Sequence, residues 1–129
     1  MGIFSRFRDI VSSNINAMLE KAEDPEKLIK LMIHEMEETL VEIKASCAGA
    51  MANSTKVARA QARAQENVDK WEGKARLAME KGREELARDA LLEKRRFAEE
   101  AGARTNEVLY FDSIIGKYRE DIALLEDKL

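Results

Sequence analysis

Three features of the chain predict an all-α fold, a long antiparallel helical hairpin of coiled-coil type preceded by a short amphipathic helix. Small and apolar residues recur in steps of three and four over long intervals. Helix-forming residues dominate, and a glycine at position 82 separates two such intervals.

The composition narrows the alternatives. The 129 residues include one proline and six glycines, with 5% aromatic and 36% charged side chains, a pattern suited to extended helices and not to a sheet. The 25 acidic and 22 basic residues are closely mixed and leave a formal net charge of -3. Such a mixture solvates helix surfaces without building one strong field, so no direct contact with nucleic acid is expected. Cys47 is the single cysteine, which rules out an intrachain disulfide and suits a reducing compartment. The sequence has neither the run of about 18 apolar residues that a spanning helix needs nor a signal-peptide core at its start.

The first element, Met1 to Ala22, reads as one amphipathic helix. Ile3, Phe4, Phe7, Ile10, Val11, Ile15, Met18 and Leu19 share one side, with Ser5, Asp9, Ser12, Ser13, Asn16 and Glu20 mostly elsewhere. Arg6, Arg8 and Lys21 exceed Asp9 and Glu20 in charge, so the stripe suits the interface of an anionic bilayer, with the arginine stems reaching toward headgroups. Packing against protein, on the same subunit or a neighbour, is the alternative use of the same stripe.

Glu23 to Glu26 breaks the chain. Asp24 is a candidate N-cap and Pro25 suits the first helical position, where its missing N–H leaves no internal bond unmade. The hairpin is assigned to residues 25–129, with its turn near 80–84. Its first arm, about Pro25 to Glu80, carries a seam of Ile29, Ile33, Met36, Leu40, Ile43, Cys47, Ala50, Ser54, Val57, Gln61, Ala64, Val68, Trp71, Ala75 and Ala78. Gly82 is the candidate left-handed residue at the turn, the alternative being a helix that runs straight through it.

The returning arm, about Glu84 to Leu129, carries Ala87, Ala90, Lys94, Phe97, Ala101, Arg104, Val108, Phe111, Ile115, Tyr118, Ile122, Leu125 and Leu129. Lys94 and Arg104 interrupt it, with stems able to cover apolar surface while their charges reach water. Closing the arms at Ala78 and Ala87 sets Ala64 near Ala101, Val57 near Val108, Ala50 near Ile115, Cys47 near Tyr118, Leu40 near Leu125 and Met36 opposite Leu129. Pro25 to Glu35 then lacks a partner, which leaves Leu28, Ile29, Leu31, Met32 and Ile33 for an oligomer contact, for docking of the N-terminal helix, or for a further C-terminal segment.

No reactive constellation emerges. His34 beside Glu35, Glu37 and Glu38 lacks the second histidine of a zinc helix, Cys47 has no histidine near it in sequence to act as a base, and there is no phosphate-binding glycine loop. The chain is therefore expected to be no enzyme and to take neither cofactor nor metal. Trp71 and Phe97 are expected to meet as a core aromatic pair. The alternative assigns Trp71 to a protein-binding surface with Lys70, Lys74, Arg76 and Arg95.

The strings Met1 to Phe7, Asp9 to Val11 and Asn14 to Ala17 resemble the phage shock protein A family, whose broader membership includes the vesicle-inducing protein of plastids. So do Leu19 to Leu28, Leu31 to Ile33, Glu35 to Glu37, Thr39 to Glu42 and Arg83 to Arg88. Ser46 to Asn53 and Glu100 to Thr105 depart from the family's charge-rich forms. The resemblance implies a peripheral protein of the cytoplasm, on the inner face of the cytoplasmic membrane, with an architecture related to the ESCRT-III membrane-remodelling proteins.

In that family the N-terminal helix contacts damaged or anionic membrane, which assigns Ile3, Phe4, Phe7, Ile10 and Val11 to lipid, with Ile15 and Met18 continuing the stripe. The hairpin supports homo-oligomers in the full-length form. It also binds and inhibits a AAA+ activator of sigma-54 transcription, the alternative being a structural scaffold without transcriptional regulation. Family proteins continue into further helices, so the chain resembles an N-terminal plus hairpin fragment.

Overall fold

The computed structural model describes residues 2–128. Its elements are α1 (Ile3–Ser12), α2 (Ile15–Lys21), α3 (Pro25–Glu80) and α4 (Glu84–Lys128), all helical. α3 and α4 pair antiparallel, as the seam predicts.

The N-terminal region holds two helices where the sequence suggests one. Ser13 turns extended at φ −68°, ψ 142°, and its N–H donates to Ile10 O; Asn14 then caps α2, its Oδ1 accepting from Ala17 N at 3.2 Å. Serine and asparagine side chains compete for backbone hydrogen bonds and favour caps, so Ser12-Ser13-Asn14 ends one helix and starts the next. α2 closes at Ala22. At the start of α3, Asp24 Oδ1 accepts from Lys27 N at 3.2 Å, and Pro25 is the first helical residue.

α3 ends in a Schellman motif. Arg83 N donates to Ala78 O at 2.8 Å and Gly82 N to Met79 O at 3.0 Å, with Gly82 at φ 68°. Glycine alone adopts that backbone region without a Cβ penalty.

The chain divides into two units, Met1–Ala50 with Ile114–Leu129, and Met51–Ser113. In the first, Met36, Ile43 and Leu125 form a buried cluster, and Cys47, Ala50 and Ile115 form another. Thr39 is fully buried among them, its hydroxyl donating to Glu35 O at 2.8 Å. In the second, the buried residues are Ala64, Val68, Ala75, Ala87, Ala90 and Ala101. There Ser54 Oγ meets Asp112 Oδ1 at 3.1 Å and Lys94 Nζ meets Glu72 Oε1 at 3.6 Å, contacts that match the expected register.

Every seam residue from Met36 to Ala78 and from Ala87 to Leu125 is buried or half-buried, while Ile29 and Ile33 are exposed. Leu129, the expected partner of Met36, lies outside the described residues. Trp71 and Phe97 differ from expectation. Among the described residues the ring contacts are Phe4 with Tyr118 and Tyr110 with Phe111. Trp71 instead carries Lys74 Nζ at 4.3 Å from its ring centre, and Phe97 carries Arg96 at 4.4 Å. In each case the cation comes from the same helix within one turn, closer to hand than a ring on the facing arm.

Candidate functional site

α1 is more strongly amphipathic than either long helix, and the first unit shows what covers it. Ile3, Phe7 and Ile10 pack on the cluster of Met36, Ile43 and Leu125, joined there by Leu40, Tyr118 and Ile122. At the start of α3 the N-terminal region reaches Met32 through the cleft it shares with Ile10, Ile15 and Met18, while Ile29 and Ile33 stay exposed. Leu28 and Met32 become half-buried, while Leu31 stays exposed.

The direction of α1 follows from its contacts. The Phe4 ring stacks on Tyr118 at 5.9 Å, while Lys128 Nζ reaches the other end of the helix, so α1 runs parallel to α4. Arg6 makes an ion pair with Glu42, and Ile10 shares a cleft with Met32 and Met36, so α1 runs antiparallel to α3. That cleft, of about 170 Å³, is also bordered by Asp9, Ser13, Ile15 and Met18.

The stripe is thus divided in its exposure. Ile3, Phe7, Ile10, Val11 and Ile15 are half-buried, whereas Phe4 is 44% and Met18 42% exposed. Arg8 is exposed as well.

At the C-terminal end of α1, Lys128 Nζ donates to Ile10 O at 2.9 Å, Val11 O at 3.0 Å and Ser13 O at 3.4 Å. Sequence reasoning missed Lys128, Tyr118 and Glu42 as partners of this helix. The separations are 118, 114 and 36 positions, and no local pattern links them. A charge at the end of α4 opposite a helix end lacking its own cation is the one available hint.

The same unit holds Asp121, which is 7% exposed. Burial pushes its carboxyl above the ordinary range; Lys117 pulls it down and Glu120 adds to the rise. His34 is exposed, with Nε2 at 3.1 Å from Glu38 Oε1, and Cys47 is a buried free thiol. Among the described residues no group of three or more His, Cys, Asp or Glu side chains is arranged to hold a metal ion.

The second unit separates the residues expected to form a protein-binding surface. Lys74 borders a groove with apolar walls from Trp71, Leu77 and Leu86, and the other cations on that groove are Lys81 and Arg83. Lys70 is exposed elsewhere, Arg76 pairs with Glu72 at 3.3 Å, and Arg95 pairs with Glu99 at 3.6 Å. The positive φ of Gly82 turns the chain between Lys81 and Arg83 and so brings them beside Lys74.

A profile of the PspA/IM30 family matches residues 2–129, and the chain belongs to that family. It is 35% identical to the membrane-associated protein Vipp1 of Nostoc punctiforme, over the whole chain and 50% of that protein. To the phage shock protein A homolog of Bacillus subtilis it is 40% identical over 70% of the chain and 40% of the relative. The chloroplastic membrane-associated protein VIPP1 of Arabidopsis thaliana is 32% identical over the whole chain and 39% of its own length. The chain therefore spans half or less of each of these relatives.

Proposed function

We propose that this member of the PspA/IM30 family is a non-enzymatic membrane-stress effector that associates peripherally with an anionic membrane through α1. The observation that carries the reading is the stripe itself: five apolar side chains on ten residues, in a helix far too short and too charged to span a bilayer. Among the described residues no helix is long and apolar enough to cross a membrane. The relatives' names, membrane-associated protein and phage shock protein, point the same way.

Lipid contact requires α1 to leave its seat on α3 and α4. Burying one Phe or Ile side chain contributes about 1.5–3 kcal/mol, and hydrocarbon or a protein core can each supply that gain. Docking on the hairpin and contact with lipid therefore compete for the same apolar side chains, which is how a sensor of membrane condition can shift between two states. Flotation with phosphatidylglycerol vesicles tests the reading. Phe4→Asp combined with Phe7→Asp is expected to weaken binding at least about tenfold, because each carboxylate must be desolvated to enter the interface. Unchanged affinity would defeat it.

In its finer form, the hairpin binds and inhibits a AAA+ sigma-54 activator at the inner face of the cytoplasmic membrane. The groove of Trp71, Leu77 and Leu86 with its cationic border supports a protein contact of this kind, with Lys70, Arg76 and Arg95 on the surrounding surface. Inhibition of the activator's ATPase, measured with and without vesicles, tests it; no inhibition in either condition defeats the regulatory form. The second reading is an ESCRT-III-like scaffold, homo-oligomeric in full-length form and without a role in transcription. The relatives named for membrane association alone favour it. Vesicle binding with no effect on the activator is its expected signature.

A further inference from the structure

We propose that Lys128 is a latch: its ammonium group clasps the C-terminal carbonyls of α1 and so holds the apolar stripe on the hairpin and away from lipid. The inference rests on the reading that α1 is the lipid-contacting element, and it names how that contact is controlled.

A helix leaves its last four carbonyls without intrahelical partners, and the negative end of its dipole favours a cation there. α1 has no basic residue in its own last turn. Within the N-terminal region, the Ser13 N–H and Ser13 Oγ both turn back to Ile10 O, at 3.4 and 2.8 Å. Lys128 also reaches Ile10 O, and its ammonium group goes on to Val11 O and Ser13 O. One side chain of α4 thereby joins three acceptors, on residues 10, 11 and 13, across the helix terminus.

The Phe4–Tyr118 stack and the Arg6–Glu42 ion pair also hold α1, but each uses a side chain of α1 itself. Changing Phe4 or Arg6 would alter the helix's own affinity for lipid. Lys128 lies outside the stripe and acts on backbone oxygens, so its removal frees α1 with the lipid-facing chemistry intact. When the docked state predominates, apparent lipid affinity is reduced in proportion to the undocked fraction, and loosening the clasp must raise it.

Lys128→Met keeps the apolar stem and removes the donors. It is expected to bind phosphatidylglycerol vesicles about fivefold more tightly, the scale of a charged hydrogen-bonded helix end. Simple loss of one positive charge would weaken binding to the same vesicles, so the direction separates the two effects. Amide hydrogen exchange across residues 3–12 should quicken in the variant, with residues 51–113 unchanged, and Lys128→Arg should restore both readouts.

Unchanged exchange in α1 would overturn the clasp. Faster exchange without tighter vesicle binding, where the Phe4→Asp and Phe7→Asp variant still loses affinity, would overturn the clasp as a control on lipid contact. No loss in that double variant would instead sink the lipid reading itself.

Discussion

The two units solve one packing problem with different side chains. The first seats Met36, Ile43, Ile115 and Leu125 between α3 and α4 and adds α1 over them; the second closes on a row of alanines, with Gln61, Lys94 and Arg104 half-buried in the same seam. Large apolar side chains contribute more free energy per contact but demand a covering layer, which α1 supplies. Alanines bury little area and compensate through close approach of the helices. Within the second unit, Arg104 Nε is buried without a hydrogen-bond partner while its guanidinium meets Glu107 at 3.0 Å, a cost the first unit's seam avoids. The lesson is that a seam of constant spacing can hold a close alanine contact in one place and a three-helix contact of larger side chains in another.

Truncation should break the contrast most sharply. Ile43→Ala empties a fully buried site and is expected to cost about 3 kcal/mol in urea unfolding. Hydrogen exchange should show the loosening in residues 36–50 and 114–125 before residues 51–113. Equal loosening in both would mean that the units share one core.

Enlargement sharpens it from the other side. Ala90→Leu forces a large side chain into the close alanine contact of the second unit, with an expected cost of about 2 kcal/mol by the same assay. If the variant were neutral or stabilising, the helices there would have room that an alanine seam does not imply.

The turn gives a smaller effect. A Cβ at Gly82 would meet nothing within 4 Å, so Gly82→Ala tests the backbone alone and is expected to cost about 1 kcal/mol from the positive φ. A loss several times larger would mean that the turn also makes contacts through neighbouring residues.

The smallest effect belongs to Asp121 in the first unit. Burial raises its pKa above the ordinary 3.8, so the folded chain takes up this proton before the unfolded chain as pH falls. The contribution of this group to stability therefore rises as pH drops from neutral through the raised pKa, is complete below 3.8, and is lost again as pH climbs. Asp121→Asn should raise the Tm at neutral pH and remove that acid-side gain relative to the unaltered chain; an equal pH dependence in both would show that Asp121 is indifferent to folding.

Much of this architecture was legible in the residues. A spacing of three and four specifies both the helix and the face it must cover, and that is why the seam could be written from Met36 to Leu125 with its partners in order. The N-terminal region was less legible. Its apolar stripe continues across Ser13 and Asn14 in period, so the hydrophobic pattern alone conceals the break that backbone hydrogen bonding by those side chains produces. Trp71 and Phe97 misled for a related reason: position along a seam places an aromatic ring near the facing arm, but a lysine or arginine within one turn reaches the ring first.

The amino-acid order by itself determined that the chain is helical, where its arms are apolar, and that α1 carries a stripe needing cover. Local periodicity and local hydrogen bonding set those properties. Only the tertiary structure decided what covers the stripe, because an apolar face records its demand for burial and not the identity of its partner. The contact from Lys128 to Ile10, Val11 and Ser13 makes the point most plainly: its acceptors are backbone carbonyls, which every residue carries, so the side chains of α1 name no partner for it beyond leaving the helix end without a cation of its own.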